Sequence, residues 1–291
     1  MNGILNINKS TGYSSFDVVR KVKKIAETKK VGHTGTLDPE ASGVLPICIG
    51  RATKFVDYIM KDHKVYRANL KLGVVTDTYD REGTIIKTSI VNKSEDEIIE
   101  TIKSFVGKNQ QIPPMYSALK VNGQRLYTLA RQGIILERQP RDIDIFSIDI
   151  LDISIPDVTF DVKCSKGTYI RSLCYDIGEK LSCGGAMWGL VRLSSGFFNI
   201  ENSVKLEDLN QENISNYLIS VEDALHTYPS VYFDSKYKNL LLNGVSIGDK
   251  RIIGEIVPNT LYKVYIREIG FIGLGQSGES NFKMVKQYFE E

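Results

Sequence analysis

A chain of 291 residues with 42% hydrophobic and 25% charged positions has the material for one large or two modest folded domains, and its composition excludes disorder. A net charge of +2 by itself predicts no nucleic-acid partner, but the charge is unevenly spread. Residues 1–67 hold twelve Lys or Arg against six Asp or Glu, residues 108–141 six against one, and residues 199–226 one against six. Two basic stretches offset by an acidic connector suit a catalytic part that meets phosphates and a hinge that does not.

Ile4 to Asn8 reads as a first strand. Ser14-Ser-Phe-Asp17 has the form of a capping box opening a helix through about Thr28, with Val18, Val19, Val22 and Ile25 on one face. Val31 to Lys54, VGHTGTLDPEASGVLPICIGRATK, packs three glycines, an Asp-Pro step and His33 beside a short apolar run. Gly and Asp-Pro favour turns, so His33 to Ser42 reads as an irregular loop. Val44 to Ile49 then reads as a short buried strand whose Pro46 predicts an edge or a bulge. A polar loop carrying one carboxylate, Asp38, and braced by a strand is where chemistry tends to sit.

Arg51 to Lys61 reads as a helix, and from Tyr66 to Leu72 a strand alternates strictly, with Tyr66, Ala68, Leu70 and Leu72 on one face. A turn at Asp80 to Gly83, a short strand at Thr84 to Lys87 and a helix capped by Ser94 with Glu97 follow. Residues 111–133, QIPPMYSALKVNGQRLYTLARQG, carry Pro113-Pro114 and then a short amphipathic helix around Leu126, Leu129 and Ala130. Basic residues interleaved here with Tyr116 and Tyr127 suit RNA backbone and unstacked bases.

Ile143 to Ile155 and Val158 to Cys164 read as paired antiparallel strands turning at Pro156-Asp157. A helix to about Leu181 follows, capped by Gly167 or Thr168, with Tyr169 and Arg171 in its first turn. An arginine there opposes the helix dipole, which a carboxylate partner would offset. Asn199 to Leu225 is the acidic connector, predicted as short helices, and the last sixty or so residues read as one helix and several short strands of a small domain. Gly273 to Gly278 satisfies G-x-G-x-x-G, but no helix pattern follows and thirteen residues remain, so strand turns are expected rather than a dinucleotide site.

Cys48, Cys164, Cys174 and Cys183 form no C-x-x-C and have no histidine nearby, which predicts reduced, partly buried thiols and no metal. No stretch approaches the roughly 18 apolar residues of a membrane span, so a soluble, cytoplasmic chain without membrane contact is expected.

The run GHTGTLDPEASGVLPICIGRATK closely resembles the central motif of the TruB family of tRNA pseudouridine synthases. The resemblance places the family's catalytic aspartate on Asp38 and its base-flipping histidine on His33. INKSTGYSS is similar to the family's first motif, usually D-K-P-x-G-x-T-S, with Ser10 in place of the proline, and adds Lys9 to the RNA-facing set. Lys64, Tyr66 and Arg67 match the K-x-Y-R setting whose tyrosine stacks on the uracil. GTYIRSL matches the motif whose arginine, Arg171, pairs with the aspartate and whose tyrosine, Tyr169, lies against the target nucleotide. GAMWGLVRLSSGFF resembles the closing strand, with Leu193 lining the uracil pocket and with Met187 and Val191 where a histidine and a second arginine are usual.

The resemblance further implies an α+β catalytic domain over residues 1–226, built on a mixed, mainly antiparallel sheet. A thumb insertion at about 108–141 would bring Lys120, Arg125 and Arg131 to the RNA, and a PUA-like domain would span 227–291. The implied activity is isomerisation of uridine to pseudouridine at position 55 in the tRNA T-loop, by a stand-alone monomer without guide RNA, cofactor or metal. A non-catalytic RNA-binding protein fits less well, because binding alone requires no carboxylate set with Tyr66 and Arg171. An aspartate-dependent hydrolase lacks a second carboxylate in a comparable motif.

Overall fold

The computed structural model describes every residue except 118, 122, 250–255 and 289–291. The chain begins with β1 (Gly3–Lys9), α1 (Ser15–Ile25), β2 (Val31–His33), β3 (Ser42–Ile49) and β4 (Lys64–Leu72). It continues through α2 (Glu95–Lys103), β5 (Gly107–Gln111), α3 (Leu126–Arg131), β6 (Arg141–Ser154), β7 (Asp157–Cys164), α4 (Ile170–Lys180) and β8 (Gly185–Ser195). An eleven-stranded sheet runs in the order Val204–Lys205, β1, β3, β8, β4, β7, β6, β5, with β2 and two short strands attached to its flank. Its ladders are antiparallel except where β3 meets β8 and where Val204–Lys205 meets β1, so the sheet is mixed and mainly antiparallel.

Local rules account for most of these elements. The Ser14–Asp17 capping box is present, each side chain accepting from the other's backbone N–H, and α1 buries Val18, Val19 and Val22. Ser94 and Glu97 cap α2 in the same way. In β4 the four alternate residues Tyr66, Ala68, Leu70 and Leu72 are buried, while Arg67 faces outward and grips Asp161 of β7 through bonds of 2.8 and 2.9 Å. On this face of the sheet β4, β7, α1, α2 and α4 enclose one core.

Three expectations change in the tertiary setting. Pro46 lies in an interior strand, not at an edge or bulge. It is tolerated because β3 changes partner there, from β8 at Ser42 and Gly43 to β2 at Ile47 through Ile49. The Pro46 carbonyl accepts from Thr34 N at 3.0 Å, so its nitrogen also faces away from the β1 ladder, which loses no bond. The helix expected over Arg51 to Lys61 is a 3-10 turn, Gly50–Phe55, followed by a single α-turn, Val56–Ile59. The acidic connector is partly extended: Val204–Lys205 and Leu218–Ile219 both pair with β1.

The C-terminal unit is a sheet in the order β9 (Ser230–Phe233), β10 (Leu261–Ile266), β11 (Gly270–Ser277) and β12 (Phe282–Gln287), with α5 (Lys238–Leu242) packed on it around its own core. The glycine-rich run lies along β11; a methyl group on Gly275 would come within 2.4 Å of the Phe282 ring, so close packing accounts for that glycine. From this unit Leu274, Phe271 and Tyr288 reach the opposite face of the main sheet and complete a second core with Ile4, Val44, Cys48 and Phe55. Burying Phe55 there is worth about 2–3 kcal/mol. All four cysteines are buried free thiols. Among the described residues no helix is long and apolar enough to cross a membrane.

Candidate active site

The loop between β2 and β3 carries Asp38 and is held from three directions. Ser15, first residue of α1, receives Leu37 N at 2.8 Å and donates to Leu37 O at 2.9 Å, bracketing the residue before Asp38. The Pro39 carbonyl accepts from Gly12 N at 2.9 Å and from Lys9 Nζ at 3.0 Å. Glu40 is ion-paired with Arg81. An irregular loop so stapled presents its carboxylate in one place without the regular backbone bonds of a helix or strand.

That carboxylate meets Arg171. The Arg171 Nε lies 3.1 Å from Asp38 Oδ2, its Nη1 lies 3.5 Å from Asp80 Oδ2, and its Nη2 donates to Tyr116 O at 2.8 Å. The Arg171 side chain is 7% exposed, whereas that of Asp38 is 40% exposed, so the cation is walled in and the carboxylate opens to solvent. The helix carrying Arg171 begins at Ile170 with Tyr169 as N-cap, not Gly167 or Thr168. Tyr169 makes no side-chain cap. Instead Gln111, at the end of β5, accepts from Tyr169 N at 2.8 Å and donates to Tyr169 O at 3.0 Å. Two acidic partners offset the cost of a cation in the first turn of α4.

Tyr66 and Tyr169 both stand near enough to Asp38 to feel its charge, and burial raises both phenols above their ordinary pKa. Directly across the ladder from Tyr66 is Arg192 of β8, 1% exposed, whose charge and hydrogen bonding oppose that rise at Tyr66. Arg192 Nε donates to Val44 O at 2.6 Å and Nη2 to Gly35 O at 3.2 Å, on either side of the Asp38 loop. His33 ends β2; its Nδ1 accepts from Gly35 N at 3.2 Å, and burial followed by the Arg192 charge lowers its pKa, keeping the ring neutral.

Asp38, Arg171, Tyr66, Tyr169 and His33 are thus brought together around one loop. Lys9 differs from expectation. It is fully buried and donates to Ser10 O, Tyr13 O and Pro39 O at 2.7–3.0 Å, so it ties the first-motif turn to the Asp38 loop and has no surface to offer RNA. Leu193 stands at a bulge in β8 and has no direct cross-strand partner on β4, whereas Leu190 pairs with Ala68 on the face that Tyr66 shares. Arg125 and Arg131 are exposed, and their guanidinium carbons lie 5.9 and 5.6 Å from the centroid of the Tyr127 ring. The Lys120 side chain lies outside the described residues, although its backbone pairs with Arg125. Gln111 and Arg141 pair within the sheet, so the excursion from it spans 112–140 rather than 108–141. Asp80, Arg192, Gln111 and Leu190 carried no local signal of a site. Asp80 read only as a turn residue, Gln111 as the start of the proline-bearing stretch, and Leu190 and Arg192 as residues of the closing strand.

Two family models cover most of the chain: TruB family pseudouridylate synthase, N-terminal domain, over residues 23–170, and tRNA pseudouridylate synthase B C-terminal domain over residues 171–227. The chain belongs to the TruB family of pseudouridylate synthases. It is 58% identical over 286 residues to the tRNA pseudouridine synthase B of Clostridium acetobutylicum, spanning 98% of this chain and 99% of that one. It is 56% identical to that of Clostridium kluyveri over 99% of this chain and 100% of that one. Among solved structures, a chain of a Cbf5-Nop10-Gar1 complex superposes with a TM-score of 0.73 at 28% identity, covering 99% of this chain and 84% of that chain. A chain of an H/ACA RNP bound to a substrate RNA containing 2'-deoxyuridine has a TM-score of 0.75 at 24% identity, a likeness of fold. As a TruB family member this chain is an α+β pseudouridine synthase.

Proposed function

We propose that this enzyme converts uridine to pseudouridine at position 55 of the tRNA T-loop, acting alone and without a guide RNA. The observation that carries the reading is the half-exposed Asp38 carboxylate held 3.1 Å from a buried Arg171 within a TruB sequence. The reaction breaks the N1–C1′ bond, turns the base and joins C5 to C1′, with loss of the C5 hydrogen as a proton and gain of a proton at N1. It is an isomerisation with no net redox change, so a carboxylate set beside a buried guanidinium can carry it.

The target uridine must leave its loop stack, at a cost of a few kcal/mol. Stacking on Tyr66 returns about 1–3 kcal/mol, and the neutral His33 ring can fill the vacated space without desolvating a charge. Tyr169, beside Asp38, borders the sugar side of the pocket, and we assign its apolar wall to Leu190, with Leu193 at its rim. Arg125 and Arg131 with Tyr127 face the T-arm from the thumb, and the domain at 227–291 adds PUA-like grip on RNA. The test is tritium release from a T-arm stem-loop carrying 5-tritiated uridine at the position equivalent to 55. Release by the wild-type protein, with none when that uridine is replaced by cytidine, supports the assignment. Absence of release from a folded protein that binds the stem-loop would overturn it.

A further inference from the structure

Arg192 is the largest side chain buried below 2% exposure, and the site described above leaves its charge unexplained. Arg171 faces two carboxylates, Lys9 lies in the field of Asp38 and Glu40, and Lys64 lies in that of Asp62. Among the described residues no carboxylate comes within ion-pair distance of Arg192; its identified protein partners are the carbonyls of Gly35 and Val44 and the Tyr66 hydroxyl. Neutral donors could hold those groups at lower cost, since a buried cation without a counter-charge is expensive. The strand that carries it is also held close: Gly43, at φ +100°, lets β3 approach so closely that a methyl group there would fall 2.3 Å from Arg192 O.

We propose that Arg192 is a positioning residue that holds both ends of the Asp38 loop and the Tyr66 hydroxyl, and that its unneutralised charge stabilises the electron pair the uracil takes when N1–C1′ breaks. This rests on the uridine isomerisation proposed above. Heterolysis leaves the bonding pair on the detached ring, spread over N1, O2 and O4, while C1′ becomes electron-deficient beside Asp38. A fixed cation behind the stacking tyrosine requires no reorganisation when that charge develops. The pair then returns to C1′ through C5, the C5 hydrogen leaves as a proton, and N1 takes up a proton in its place.

The experiment compares wild type, Arg192→Met and Arg192→Lys in single-turnover reactions on T-arm stem-loops containing uridine or 5-fluorouridine, with RNA affinity and thermal melting measured in parallel. Fluorouracil is the more acidic leaving group and depends less on external charge. Arg192→Met should bind RNA normally, lose roughly a hundredfold in rate on uridine, and lose at least about tenfold less on 5-fluorouridine, measured as disappearance of the parent nucleoside. Arg192→Lys keeps the charge and should stay within about tenfold of wild type on both. Equal losses on the two substrates would reduce Arg192 to a structural clamp and overturn the proposal, as would an Arg192→Met enzyme with an undiminished rate. Should the methionine variant not fold, a folded, RNA-binding Arg192→Lys enzyme slowed more than a hundredfold overturns it equally. Failure of wild type itself to release tritium from uridine would instead count against the underlying activity.

Discussion

Arg171 reaches two carboxylates at once, with Nε 3.1 Å from Asp38 and Nη1 3.5 Å from Asp80. Asp38 is open to solvent at 40% exposure, while Asp80 is enclosed at 13%. Asp80 Oδ1 accepts from Thr78 Oγ1 at 2.6 Å and from Glu82 N at 3.1 Å, so its carboxylate is fixed by its own turn. Asp80 therefore sets where the guanidinium sits, and Asp38 receives what remains of its field. Removing the charge of Asp38 should abolish the chemistry, and removing that of Asp80 should only misplace Arg171.

Asp38→Asn should accordingly lower tritium release by roughly 10⁴-fold or more while RNA binding persists. Asp80→Asn should cost about tenfold to a hundredfold in single-turnover rate with unchanged RNA affinity. Substantial turnover by Asp38→Asn would remove it from the chemical step. Arg171→Lys keeps a charge but loses the fork that spans both carboxylates, and should be slowed by an amount between those two.

Lys9 is buried on three carbonyls, and burial lowers its pKa from 10.5 to about 8 despite the opposing pull of Asp38. Because the folded value lies below the unfolded one, the unfolded chain binds more protons between about pH 8 and pH 10.5. Lys9 therefore contributes more stability as pH rises through that window, and it carries its full desolvation penalty below about pH 8. The urea midpoint of wild type minus that of Lys9→Met should rise from pH 8 to pH 10. A difference that stays constant over that range would show that the folded amine titrates normally.

Exposed Arg125 and Arg131 lie 5.9 and 5.6 Å from the centroid of the half-buried Tyr127 ring. Replacing both with alanine should weaken RNA binding and reduce the slope of log affinity against log salt by about 1.5, at 0.7–0.9 per released phosphate contact. A slope equal to that of wild type would take these two residues off the RNA.

Gly43 combines a positive φ with a site at which a methyl group would fall 2.3 Å from the Arg192 carbonyl oxygen. Gly43→Ala should destabilise the protein by about 3 kcal/mol or more, because neither β3 nor the Arg192 carbonyl can retreat without breaking its ladder. A melting temperature within a degree or two of wild type would mean that the strands separate easily at this point.

The C-terminal unit does more than extend the chain. A protein ending at Leu225 would uncover Phe55, Ile4 and Val44, which Phe271, Leu274 and Tyr288 now cover. Such a truncation should lower stability by several kcal/mol, at about 25 cal/mol per Å² of apolar surface re-exposed, and should aggregate more readily. A truncated protein with undiminished melting temperature would show the two cores to be independent.

The residues proposed to carry the chemistry stand out in the chain because short-range rules and a long ungapped motif mark them. Asp38 sits in a Gly- and Pro-marked loop, Arg171 in the first turn of a helix, and Tyr66 on the apolar face of an alternating strand. Those features depend on residues a few positions apart, which is the range over which turn chemistry and periodicity act. Only the tertiary structure decided what depends on distant partners. It made Pro46 an interior residue by changing the strand beside it, and turned Lys9 inward by offering it three carbonyls. It placed Asp80 on Arg171 from a turn 91 positions away and set Arg192 across from Tyr66. A carboxylate in a turn and an arginine in a strand look the same in sequence whether they face water or a buried partner. The difference is the desolvation and pairing energy of groups that meet only when the sheet closes.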